Sequence, residues 1–237
     1  MEQGFIDIHQ HLLYGIDDGP SKQREMFGML DAAAAQGIKE IIATPHVMPG
    51  VYSLDVKQYE KALAEARAYC ADKLRGMIVY GGAEIFYTAN TCRMLAERRI
   101  PTMAGTDMVL VEFSPDIRYE VMRDALGELL ACGFRPVIAH VERYRCLTFW
   151  PARAERLKRE CEVYFQMNCS VALGGRGIVA RMFADRMLRQ KLIDVLASDS
   201  HGVTIRPNRL AEAYKAIAEK YGEGYAQRLV NGEMLRG

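Results

Sequence analysis

The chain carries no excess of charge of either sign: Lys and Arg number 31, Asp and Glu 30, and the formal net charge is +1. The broad positive surface that nonspecific nucleic-acid binding requires is therefore not expected, although local basic patches are compatible with that balance. No apolar run approaches the roughly 20 residues that cross a bilayer. The N-terminus, Met1-Glu-Gln-Gly-Phe-Ile-Asp, enters a strand pattern at once. Neither a signal peptide nor membrane insertion is expected, and the chain reads as cytoplasmic. The 6 cysteines (Cys70, Cys92, Cys132, Cys146, Cys161, Cys169) include no C-x-x-C pair. Without an export signal they read as reduced thiols, several of them buried. Repeats, low-complexity tracts and linker-like stretches are also missing.

What is present is the composition of a globular protein, 50% hydrophobic and 26% charged, and one domain over residues 1–237 is expected. Short β-like runs alternate with amphipathic helical stretches. Strands are read at about 5–9, 40–44, 77–83, 108–113, 136–139, 163–167 and 193–197. Helices are read at about 21–36, 54–74, 90–98, 119–131, after Pro151, 179–190 and 208–221. Gly174-Gly-Arg-Gly177 reads as a mobile loop after the sixth strand. Seven βα units imply an α/β protein with a parallel sheet and right-handed crossovers.

All 5 histidines fall at or just beyond the C-terminal end of an apolar run: His9 and His11, His46, His140, and His201. Two further runs end in acid, at Glu84 and Glu112. An open doubly wound sheet draws its site from the few strands at a switch point. Six strand ends bearing such residues meet only in a closed or nearly closed barrel, which builds its site on that face.

Alternation along Asp7-Ile-His-Gln-His11 would place Asp7, His9 and His11 on one face, with Ile8 on the barrel wall. Two imidazoles so spaced can share a metal, and Asp7 could orient one of them. Asp17-Asp18-Gly19 reads as an acidic turn, one of whose carboxylates reaches the site. With Glu84, Glu112, His140, Asp199 and His201 the donors exceed what one ion needs, about three protein ligands and an open position. Two or three metals sharing a carboxylate are expected. Mixed imidazole and carboxylate donors suit manganese or iron, with zinc allowed. Cys92-Arg-Met-Leu-Ala-Glu-Arg98 matches the bare C-x5-R spacing of cysteine-dependent tyrosine phosphatases. That chemistry needs a glycine- or serine-rich phosphate loop and an acidified thiol, whereas Met94 to Glu97 favour helix.

These motifs resemble the PHP (polymerase and histidinol phosphatase) superfamily, and more closely its CpsB/CapC-type metal-dependent bacterial tyrosine phosphatases. The resemblance rests on Asp7-Ile-His-Gln-His11, Gly15-Ile-Asp-Asp-Gly19, Thr44-Pro-His46, Gly82-Ala-Glu-Ile-Phe-Tyr-Thr88, Val111-Glu-Phe-Ser114, Val137-Ile-Ala-His-Val-Glu-Arg-Tyr144, Ala197-Ser-Asp-Ser-His201 and Arg206-Pro207. It implies a distorted (β/α)7 barrel. One metal would be held by His9, His11, Glu84 and Asp199, with Glu84 bridging to a second on Glu112 and His140, and a third between Asp18, His46 and His201. Arg143 and Arg206 match phosphate-binding arginines of the family. The chain departs from the pattern between Asn168 and Arg189, in the substrate-facing loop.

The implied activity is phosphomonoester hydrolysis by metal-bound hydroxide attacking phosphorus in line, with guanidinium forks on the phosphoryl oxygens. The implied substrate is a phosphotyrosyl protein, the tail of a tyrosine kinase of capsule or exopolysaccharide production, and self-association into a homo-oligomer is compatible with this reading. Two alternatives stand beside it: a small-molecule phosphatase of histidinol-phosphate type, and a regulatory subunit that binds metal without turnover.

Overall fold

Seven β-forming stretches, each followed by helix, build an all-parallel sheet that curls round on itself. The protein is described by a computed structural model covering residues 4–51 and 54–235. The strands are β1 (Phe5–Gln10), β2 (Ile38–Ala43), β3 (His46–Val47), β4 (Ile78–Gly81), β5 (Glu84–Phe86), β6 (Met108–Glu112), β7 (Arg135–Ile138), β8 (Tyr164–Asn168) and β9 (Val195–Ala197). β2 and β3 are halves of one strand, parted at Thr44-Pro45 because proline has no N–H for the ladder. The Pro45 carbonyl still accepts from Glu84 N at 3.0 Å, so the pairing carries on across the gap. β4 and β5 are likewise successive parts of one strand, interrupted at Gly82-Ala83. The ladders run β1-β2-β4 and β3-β5-β6-β7-β8-β9. The two ends of this array meet at a seam, where Asp199 N donates to His9 O and His11 N to Ser200 O, each at 2.9 Å. The expected α/β barrel of seven strand positions is the observed architecture.

The helices are α1 (Gln23–Ala35), α2 (Val56–Lys73), α3 (Thr91–Ala96), α4 (Tyr119–Ala131), α5 (Arg145–Thr148), α6 (Pro151–Glu160), α7 (Cys169–Ala172), α8 (Gly177–Arg189), α9 (Leu210–Tyr221) and α10 (Glu223–Val230). Their limits follow local chemistry. Glu25 accepts from the backbone of Ser21 and Lys22 at the start of α1, and Gly37, at φ +81°, ends it. α5 and α7 are too short to leave a periodic trace in sequence, and α10 is separated from α9 only by Gly222. The Gly174–Gly177 stretch, expected as a loop after the sixth strand, is a tight turn between α7 and α8.

Alternation along the strands sorts apolar side chains into two layers. Ile6, Ile8, Ile42, Leu110, Val137 and Val195 form a cluster inside the barrel. Ile41, Val79, Val109, Ile138, Phe165 and Leu196 pack outward with buried helix residues such as Leu30, Leu126 and Met187. α2 approaches closely enough that a Cβ on Gly81 would lie 2.2 Å from the Tyr59 hydroxyl, so only glycine fits there.

β1 departs from simple alternation, and this corrects the expected placement of Asp7. Asp7 pairs with Ile41 and Gln10 with Ala43, so three steps on β1 oppose two on β2. The bulge reverses the facing of the residues beyond it. Ile6 and Ile8 point inward before it, His9 and His11 inward after it, and Asp7 lies on the opposite side with Ile41. Its carboxylate, fully buried, accepts from Ser198 N at 3.0 Å and Asn208 Nδ2 at 2.7 Å. Asp7 thus braces the seam rather than a histidine ring. Asp7→Ala would strand the buried Ser198 N–H and remove the acceptor of the half-buried Asn208 amide, and a loss of about 2 kcal/mol in unfolding free energy is expected from a urea titration.

Candidate metal centre

The strand ends converge on one carboxylate. Glu84, at the first position of β5, is 1% exposed. Its Oε2 lies 3.2 Å from His9 Nε2, 3.2 Å from His11 Nε2 and 3.1 Å from His46 Nδ1. Its Oε1 lies 2.7 Å from His140 Nε2. Glu112, at the end of β6, sits beyond it, 3.3 Å from His140 Nε2 and 3.9 Å from His46 Nδ1. The opposite flank is made by the loop after β1 and the segment after β9. There Asp18 Oδ1 lies 3.2 Å from His201 Nε2 and 3.6 Å from His46 Nε2. Asp199 Oδ1 stands 3.6 Å from both His9 and His11 Nε2. All nine residues read from the sequence as metal donors therefore line one site.

The rings are oriented from behind. His11 Nδ1 meets Asp17 Oδ2 at 2.7 Å, and His9 Nδ1 meets Gln166 Oε1 at 3.2 Å. Gln166 Nε2 donates to Asn168 Oδ1, which fixes the amide with its oxygen toward His9. Both rings then hold a proton on Nδ1 and turn Nε2 inward, where it offers a lone pair to a metal once any proton there is displaced. Those two Nε2 atoms are 3.3 Å apart. Two ring nitrogens and a carboxylate oxygen facing one another need positive charge between them, a proton in the metal-free chain or a metal ion in its place. The donor atoms of His9, His11 and Glu84 lie within 4.8 Å of one another, as do those of His46, Glu84 and Glu112, and those of His11, Asp18, His46 and His201. The residues fit divalent metal.

Asp17, Gln166 and Asn168 are supporting residues that the sequence does not single out. The side chain of Asp17 is the buried one of the acidic pair and that of Asp18 the exposed one, a distinction that sequence alone does not make. For Gln166 the available signal is a polar residue in the middle of an apolar strand.

Charge in the metal-free chain follows the same contacts. Burial opposes a proton on His11, but Asp17 and Glu84 outweigh it and push its pKa up to about 10. Burial likewise opposes a proton on His140, and Glu112 and Glu84 raise it to about 8. Burial together with His11 and Arg206 holds His201 down at about 4. Glu84 is held well below the usual carboxylate range by the imidazoles around it, which overcome its burial.

Two arginines face the acids. Arg143 Nη2 donates to Asp199 Oδ2 at 2.6 Å and Nη1 reaches Glu112 Oε1 at 3.4 Å. Arg206 Nη2 donates to Asp199 Oδ1 at 2.8 Å, and its Nη1 lies 2.7 Å from His201 Nε2. His140, Asp199 and Arg206 all hold left-handed backbone, with φ of 35°, 52° and 52°. Side-chain-bearing residues rarely adopt it, and such strain gathers at functional sites. Cys92, by contrast, lies on helical backbone in α3, where burial and Cys132 push its thiol up to about 12. It is no phosphate-loop nucleophile.

The family described as capsular polysaccharide synthesis, CpsB/CapC, matches residues 5–234. The chain is 29% identical to the tyrosine-protein phosphatase CpsB of Streptococcus pneumoniae over 235 residues, covering 94% of each protein. It is 30% identical to the tyrosine-protein phosphatase YwqE of Bacillus subtilis (strain 168), covering 97% of this chain and 91% of that one. Its fold is similar to a structure from the work on YwqE and CpsB, described as unique metal-dependent tyrosine phosphatases, with a TM-score of 0.86, 29% identity and coverage of 94% and 90%.

Because His11 and His140 bind protons at pH 7 in the metal-free chain, metal ligation must displace them. Titration of metal-free protein with Mn²⁺ in buffers of different ionisation enthalpy is expected to show proton release, with affinity falling as pH drops below about 10, where His11 takes up its proton, and more steeply below about 8, where His140 does. In parallel, Glu84→Gln is expected to lose more than one ion per chain by elemental analysis, since its carboxylate faces two of the donor groups.

Proposed function

This chain belongs to the CpsB/CapC family, and from that premise we propose that it is a metal-dependent protein tyrosine phosphatase of one PHP-type domain spanning residues 1–237. The observation that carries the reading is the convergence of the Nε2 atoms of His9 and His11 on Glu84 beside two guanidiniums held on Asp199. One cation would be held by His9, His11, Glu84 and Asp199, a second by Glu84, Glu112 and His140, a third by Asp18, His46 and His201. Manganese is the proposed ion, with iron or zinc as substitutes, because the donors are imidazole and carboxylate without thiolate.

Bound there, the ions supply Lewis acidity toward phosphoryl oxygens and a nucleophile from water at neutral pH. The rest falls to the chain. Arg143 and Arg206 are planar donors already aimed at a carboxylate, and a phosphomonoester dianion offers oxygens of the same spacing. Asp199 keeps both guanidiniums in place before substrate arrives, so little reordering accompanies binding. Asp17 and Gln166 hold the His11 and His9 rings in the tautomer that ligation needs. The Nδ1 of His201 sits 3.0 Å from the Asp199 carbonyl, which keeps the proton off its Nε2. The substrate we propose is a phosphotyrosyl protein, the tail of a bacterial tyrosine kinase of capsule or exopolysaccharide production, met in the cytoplasm.

Chelation is expected to abolish hydrolysis of an aryl phosphate and of a phosphotyrosyl peptide, and Mn²⁺ to restore both, with histidinol phosphate turned over poorly. Cys92→Ser is expected to keep full activity. Loss of turnover in that variant with metal content intact overturns the metal route, and preference for histidinol phosphate overturns the substrate.

Arg143→Ala and Arg206→Ala are each expected to lower kcat/KM by roughly a hundredfold, the size typical of one preorganised electrostatic contact. Lysine at either position restores only part, since it lacks the fork. Steady-state kinetics with metal content measured in parallel checks this.

A further inference from the structure

Beside Asp199 opens a pocket of about 340 Å³ lined by four arginines, Arg143, Arg176, Arg206 and Arg209. Among the described residues Asp199 is the one anion on its lining, and it is already engaged by Arg143 and Arg206. Arg209 is paired with Glu212 at 2.5 Å. Arg176 differs from all three. Glu142 and Asp199 attract it and Arg143 and Arg206 repel it, yet its guanidinium makes no hydrogen bond and no ion pair among the described residues.

The backbone holds it there under constraint. Gly175 N donates to Ser170 O at 2.8 Å, and a Cβ on Gly175 would lie 2.6 Å from that oxygen, so the turn closes tightly against α7. Gly174 and Gly177 take φ of +87° and +81°. Arg176, between glycines, is itself left-handed at φ 62°. A fourth glycine would sit there without strain. The position instead carries a long cation aimed at a pocket that opens onto the candidate metal centre.

We propose that Arg176 is a specificity residue that binds a carboxylate side chain flanking the phosphotyrosine of the substrate. The inference rests on the phosphotyrosyl-protein reading above. With the scissile phosphate on Arg143 and Arg206, the remaining positive wall of the pocket faces the neighbouring part of the peptide. An extended chain advances about 3.3 Å per residue, so an adjacent Asp or Glu falls within reach of a guanidinium fork and pairs with it bidentately. A small aryl phosphate has no group to place there.

The test is steady-state kinetics of the metal-loaded full chain on phosphotyrosyl peptides that differ only in the residue next to the phosphotyrosine, Glu, Gln or Lys, placed on either side. The wild type is expected to favour the Glu peptide over the Gln peptide by about tenfold in kcat/KM on one side, mainly through KM, as a charge-assisted contact gives. Arg176→Ala brings that ratio close to one, Arg176→Lys keeps part of it, and Arg176→Glu turns the preference toward the Lys peptide. Elemental analysis checks that each variant keeps its metals. Equal hydrolysis of the three peptides by the wild type, or an undiminished preference in Arg176→Ala, overturns the role of Arg176 and leaves the phosphatase reading standing. Failure to hydrolyse any of the peptides while an aryl phosphate is turned over removes the phosphotyrosyl-protein reading, and this inference with it.

Discussion

A carboxylate taken out of water has to find its compensating charge inside the protein, and Glu84 finds it in four imidazoles drawn from three strand ends, those of β1, β2/β3 and β7. Few other arrangements would bring His9, His11, His46 and His140 within about hydrogen-bonding distance of one side chain. The barrel supplies it by geometry. Each strand delivers its last inward-facing residue to the same end of the ring, and the apolar cluster of Ile6, Ile8, Leu110 and Val137 fills the space beneath. The polar floor therefore rests on a packed apolar plug, which keeps the donors from relaxing toward the barrel axis.

Around that centre the supporting contacts form a connected line. Gln166 Oε1 faces His9 Nδ1 and also accepts from His140 N at 2.6 Å, while Asn168 Nδ2 donates to Asp199 Oδ2 at 2.7 Å. One strand, β8, thus positions residues from β1, from the turn after β7 and from the turn after β9 without lending a donor of its own to the centre. Such a line transmits displacement as well as order, since moving any amide shifts two partners.

Much of this is legible in the sequence because it depends on periodicity. The alternation of apolar runs with amphipathic stretches locates all seven strand positions, and α4 spans Tyr119–Ala131 as the pattern reads. Eight of the nine donors are legible because each sits at or near the end of such a run, and Asp18 through the acidic turn that follows the first of them. The features that stay hidden depend on a single residue's local register or on contacts distant in sequence. The bulge in β1 shifts Asp7 to the far face with no compositional mark. The division of labour between Asp17 and Asp18 is decided by which of them the His11 ring buries. The splitting of the second and third strands comes from Pro45 and from the Gly82-Ala83 break, and the left-handed backbone at His140 and Asp199 has no glycine to announce it.

The seam has a meaning beyond topology. Among the described residues, two backbone hydrogen bonds and the Asp7 brace join the β9 end to β1, a thinner connection than the ladders elsewhere. His9 and His11 stand on one bank, Asp199 and His201 on the other. A cation held from both banks, as proposed above, would rivet the ring across this line. Occupancy and ring closure would then be coupled, so scarcity of metal in the cell would be felt as a loosened protein, open to proteolysis, as well as a slow enzyme.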